Sequence, residues 1–183
     1  MDTSWKTILW NQFGAAIDMM ENAIRACPDE VWGDFSKKPE WKKKDVVGFW
    51  YLVYHTLFFL DYYLSDSATE VVTEEGFAPP ALFTLSEFDS EGALPERVYT
   101  KEELLSYLDH CRKKFRRLMT GLTEEGAHRP SGIPRRDMTV AELLLYNMRH
   151  VQHHTAQLNL ILRQKTDSAP DWVSKTKAKV DRE

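Results

Sequence analysis

The sequence predicts an all-α protein, a four-helix bundle with one long crossover between its second and third helices. Three observations predict it. Apolar residues recur every three or four positions along four long segments, and no segment shows the alternation of a strand. Two of these segments open with a Thr-x-x-Glu capping box, at Thr100 and at Thr139. No internal repeat is present, so the four helices must cover one another. The 183 residues are expected to form a single domain, residues 1–183, with a bundle core over about 4–165 and a polar tail over 166–183.

The first helix is predicted over 4–27, where Leu9, Phe13, Ile17, Met20, Ile24 and Cys27 form one apolar stripe. Asp18, Glu21 and Arg25 fall on its solvent side, Gly14 weakens it locally, and Pro28 closes it. The second helix is predicted over 45–64 and is apolar nearly all round, so it is either central or covered by a partner subunit. A membrane span is excluded, because the run between Asp45 and Asp61 is short of ~20 residues and is broken by His55 and Thr56. Leu52, His55, Phe59 and Tyr62 share one of its stripes, and Gly48 on the same side would admit a close neighbouring helix.

Residues 65–99 carry three prolines, two glycines, eight acidic residues and one basic residue. A connection this long in a compact domain is usually functional or disordered. Phe77, Leu82, Phe83, Leu85 and Phe88 give part of it something to pack with, as a lid. The third helix runs from Thr100 to Gly121 on Leu104, Leu108, Cys111, Phe115 and Leu118. The fourth runs over 139–163. In the tail, Trp172 and Val173 are the residues expected to dock, and the rest is expected to fray.

A net charge of −4 offers no general attraction to nucleic acid or to an anionic membrane, and neither is an expected partner. The basic run from Arg112 to Arg117 reads as the solvated face of the third helix, with Phe115 alone turned to the core. Cys27 and Cys111 are isolated and form no metal knuckle or disulfide framework, which fits a reducing compartment. The N-terminus lacks the form of a signal peptide, and the expected location is cytoplasmic.

The residues that carry chemistry lie in the fourth helix. His150 and His154 are four apart, so they point the same way, about 40° around the axis from one another and one turn along it. Two such imidazoles can converge on one metal ion, and His55 of the second helix is the natural third ligand. His153 is rotated about 100° from His154 and falls on the flank. Tyr62, Asn147, Arg149, His153 and Gln157 are candidates to contact a substrate or to steady the ligands. Of those on the fourth helix, Asn147 and Gln157 lie near the histidine stripe. His110 and His128 fall outside the constellation. Val151 follows His150 where a zinc protease would carry its general base, which argues against peptide hydrolysis.

His150-x-x-His153-His154-x-x-Gln157, with one histidine in an aromatic-rich second helix, resembles the DinB-like family of metal-binding four-helix bundles. The resemblance covers about residues 5–165. The family's ending His-His-x-Gly-Gln reads His153-His154-Thr155-Ala156-Gln157, with alanine for glycine. The resemblance implies a metal triad of His55, His150 and His154. It implies zinc or nickel as the ion, with iron a further choice, and a homodimer. It also implies a thiol-dependent S-transferase or isomerase acting on a small molecule with a low-molecular-weight thiol. The alternative is a non-catalytic metal-binding or stress-response interaction module. Three neutral nitrogen ligands leave coordination positions open, the pattern of catalytic rather than structural sites.

Overall fold

The computed structural model describes residues 4–33, 48–65, 98–133 and 136–178. Among them are six helices and no strand: α1 (Trp5–Ala26), α2 (Asp29–Trp32), α3 (Phe49–Tyr63), α4 (Lys101–Gly121), α5 (Glu124–His128) and α6 (Val140–Thr166). The four long ones are the helices that the sequence predicts. α2 and α5 are single turns, too short to show a period.

Local chemistry explains the ends. The Ser4 hydroxyl accepts from the Thr7 amide at the start of α1. Both Thr-x-x-Glu motifs close as reciprocal boxes, so Thr100 and Thr139 each bond the amide three residues on, and Glu103 and Glu142 each return the bond. These boxes satisfy amides that have no partner in the first turn. Asp167, with φ 56°, ends α6 in the left-handed region.

α1 and α3 each pack against both α4 and α6, so they lie on opposite corners of the bundle. Side-chain pairs give the directions. Lys6 meets the Thr120 carbonyl while Glu21 meets Arg112, so α1 and α4 are antiparallel. His55 meets His154 while Tyr63 meets Tyr146, so α3 and α6 are antiparallel. Leu57 meets Cys111 while Asp61 meets Lys114, so α3 and α4 run parallel. Parallel neighbours cannot be joined by a tight turn. Residues 66–97, which make this connection, lie outside the described residues, and with them lies the expected lid over 77–88.

No residue of α3 is exposed, which places it centrally within the single chain. Its least buried positions are Tyr51, His55 and Phe59, spaced by four. The histidine stripe is therefore the outermost face of this helix. Gly48 is not inside the helix as predicted. It is the extended N-cap (φ −68°, ψ 159°), and among the described residues a side chain there would meet only the Trp50 ring, at 3.8 Å. No close approach of a described helix depends on it.

The basic run on α4 also differs from its solvated reading. Lys114 is buried and donates to Asp61 Oδ1 and to Ser65 Oγ, both at 2.7 Å. Tyr107 donates to Asp61 Oδ2 at 2.9 Å. Burial, then the adjacent Asp61 charge, pushes the Tyr107 phenol well above its ordinary pKa. Arg112 bonds Asp18 and Glu21 of α1, and Arg116 lies over the Trp10 ring, 5.8 Å from its centroid. A three-four period cannot register partners this distant in the chain.

The tail docks, but not through the aromatic residue. Trp172 is 70% exposed. Instead the Thr176 amide donates to the Asn11 carbonyl at 3.1 Å and its hydroxyl to Asp18 at 2.6 Å. The Trp10 indole donates to the Ala178 carbonyl at 2.9 Å. Gly14 makes room for this strap, since a Cβ there would lie 2.7 Å from Thr176 Cγ2.

Candidate metal centre

α3 and α6 cross so that their histidine stripes meet. Asn147, buried, fixes the pairing by donating from Nδ2 to the Leu60 carbonyl at 3.0 Å. One turn further along α6, His150 faces His55, with ring centroids 5.5 Å apart. His154 is 5.0 Å from His55 and 4.5 Å from His150 by the same measure. One ring nitrogen from each of the three lies within 4.8 Å of the other two. All three side chains are half-buried.

The walls are aromatic. Phe59 meets both His55 and His150 edge to face, at 4.8 and 5.4 Å. Tyr51 closes on His55 at 6.3 Å, and Tyr63 on His150 at 6.3 Å. Such walls disfavour the imidazolium form. Burial, then the His154 neighbour, lowers the His55 pKa to about 4. Burial, then His154 and His55, lowers His150 to about 3. His154 is lowered by burial, partly opposed by its bond to Gln157. Near neutral pH all three are neutral imidazoles, the form that offers a lone pair to a metal.

Two polar details fit a metal ion. His154 Nδ1 lies 2.7 Å from Gln157 Oε1. An amide oxygen only accepts, so Nδ1 carries the proton and Nε2 presents the lone pair. His150 Nδ1 is buried and has no hydrogen-bond partner among the described residues. A buried nitrogen without a partner costs about 1–3 kcal/mol, a cost that coordination or an ordered donor would remove.

The other candidates from the sequence separate. Gln157 bonds a triad histidine, and Asn147 bonds the α3 backbone. His153 is exposed, with its ring centroid 5.0 Å from that of His154. Together with Tyr146, Arg149, His150, Gln152 and Ala156 it lines a groove of about 530 Å³ along α6. Tyr62 packs instead with Phe58, Tyr63, Ile133 and Leu143. Its neighbour Tyr63 is the tyrosine that reaches His150. Helical arithmetic puts positions three and four after Phe59 nearly symmetrically about its stripe, and only packing chooses between them. Tyr63, Tyr146 and Arg136 were not among the sequence candidates. Arg136 lies in a loop without periodicity, and no motif marks it.

A family model described as the DinB superfamily matches residues 12–158, most of the chain and all three histidines. No curated protein matches the sequence significantly.

Proposed function

Starting from the fact that the chain belongs to the DinB superfamily, we propose that His55, His150 and His154 hold one divalent metal ion in a metal-dependent enzyme that acts on a small molecule. The observation that carries this reading is the convergence of three neutral imidazoles from two helices, in a cluster that, among the described residues, includes no carboxylate or thiolate. Imidazole ligands suit zinc, nickel and iron, and zinc or nickel is the choice carried from the family.

The chain's own residues divide the work. The triad would supply three ligands, and the α6 groove that His150 lines would admit a substrate. Gln157 holds the His154 ring in one tautomer and one orientation, and such outer bonds raise ligand basicity. Phe59 and Tyr51 exclude water from the α3 side. An ion bound there supplies Lewis acidity and lowers the pKa of a bound water or thiol. With a thiol as co-substrate, the reaction class is S-transfer or thiol-dependent isomerisation. The expected homodimer and cytoplasmic location belong to the same reading. No described helix is long and apolar enough to cross a membrane.

Metal analysis of purified protein tests the centre. About one divalent ion per chain is expected, with sharp loss in His55→Ala, His150→Ala and His154→Ala, while His153→Ala retains the ion. Full occupancy in His55→Ala would remove α3 from the site. Spectra of cobalt-loaded protein that no biological thiol perturbs would turn the reading to a non-catalytic metal-binding module.

A further inference from the structure

Beside the triad lies a second cluster that the metal reading does not use. Arg136 is carried on the loop between α5 and α6. That loop is pinned at its base, where the Ser131 amide donates to the Met138 carbonyl at 3.0 Å and the Val140 amide to the Arg129 carbonyl at 3.0 Å. Ile133, 3% exposed, anchors the loop against Phe58 and Leu143, and the Arg136 amide donates back to its carbonyl. Gly132 lies in the left-handed region, with φ 73°, which glycine adopts without strain. The guanidinium is thus delivered to a defined place. Its Nη2 donates to the Tyr63 and Tyr146 hydroxyls, each at 3.3 Å. Its carbon lies 5.9 Å from the Tyr63 ring centroid and 5.2 Å from that of Tyr146.

This cluster adjoins the metal ligands. Tyr63 stands perpendicular to His150 at 6.3 Å, and Tyr146 shares the α6 groove with His150. A cation with a planar fork of donors, flanked by two phenol hydroxyls, has the chemistry of an oxyanion cradle. Its placement beside His150 would orient a substrate rather than merely attract it.

Resting on the three-histidine reading above, we infer that Arg136, Tyr63 and Tyr146 bind the anionic group of the substrate, a carboxylate, while its reacting end faces the metal. The substrate class is therefore a small carboxylate-bearing molecule. Arg136 brings the charge, and the Tyr63 and Tyr146 hydroxyls both hold the guanidinium and complete the cradle.

Anion titration of cobalt-loaded protein, and of metal-free protein in parallel, tests this inference. The probes are succinate and, separately, inorganic phosphate. Cobalt absorption reports in the first arm and tyrosine near-ultraviolet absorption in the second. Wild type should bind succinate in both arms. Arg136→Gln should weaken it by at least about tenfold, the loss of one charge-assisted hydrogen bond. Metal content should stay at the wild-type level. Tyr146→Phe should weaken binding less, and Arg136→Lys should fall between wild type and Arg136→Gln. These two variants decide the matter if Arg136→Gln folds poorly. Equal succinate affinity in wild type and Arg136→Gln would overturn the inference and leave the metal reading intact. Tighter binding of phosphate than succinate would overturn the carboxylate assignment. A wild-type protein that takes up no cobalt would overturn the metal reading, while the metal-free arm still decides the role of Arg136.

Discussion

Gln157 Oε1 accepts from His154 Nδ1 at 2.7 Å, one turn beyond the last histidine of the cluster. The bond chooses the tautomer of a ring that would otherwise be free to present either nitrogen. Gln157→Ala should therefore lower metal affinity by about 10–100-fold while leaving the fold intact. Gln157→Glu should retain or strengthen binding, since a carboxylate is the better acceptor. Competition with a chromophoric chelator measures both. Unchanged affinity in Gln157→Ala would mean that the bond does not orient the ligand.

The depressed histidines make a prediction about acid. Above about pH 6.5 they are neutral in both folded and unfolded chains and add no pH dependence. Below that value the unfolded chain takes up protons that the folded one refuses until about pH 4 at His55 and about pH 3 at His150. Metal-free protein should thus lose stability as pH falls from about 6.5 toward 3. The slope approaches about 1.4 kcal/mol per pH unit for each histidine that differs by a full proton. Urea unfolding across that range is the measurement. In His150→Leu the slope should be shallower. An identical slope would place the acid sensitivity elsewhere.

Lys114 and Asp61 form a buried pair between the two parallel helices, with Tyr107 and Ser65 completing the bonds. Removing one partner strands the other charge, so Lys114→Met should cost about 3–5 kcal/mol. The double variant Lys114→Met with Asp61→Asn should recover much of that loss. A single variant as stable as wild type would show that water reaches Asp61 in solution.

Gly14 offers a test with an unusual sign. Glycine to alanine inside a helix ordinarily gains about 1 kcal/mol. Here the new Cβ would stand 2.7 Å from Thr176 Cγ2, so Gly14→Ala should lose stability in the full chain. In a chain ending at Asp167 the same substitution should gain the ordinary amount. A gain in both chains would mean that the strap is not held against α1 in solution.

Much of the bundle was legible because its determinants are local. Thr100 and Thr139 announce two helix starts within four residues each, and a stripe such as Leu9, Phe13 and Ile17 needs only its own period. The pairing of His150 with His154 was legible for the same reason. What could not be read was set by distant partners. Lys114 looked solvated because Asp61 lies 53 positions earlier in the chain. Thr176 looked unremarkable because the glycine that receives it is in α1. Tyr63 and Tyr62 could not be told apart until α6 and the 136 loop were laid against them.

The corner arrangement of the helices bears on how the chain is made. Each principal contact between long helices joins a helix before residue 66 to one after residue 97. Among the described residues, neither half owns a packed pair of long helices. During synthesis the first half therefore leaves the ribosome with α3, largely apolar, before its main packing partners exist. Productive packing must wait for α4 and finally for α6. The histidines of α3 and α6 are then among the last parts to come together, and until then the apolar surface of α3 lacks its principal packing partners.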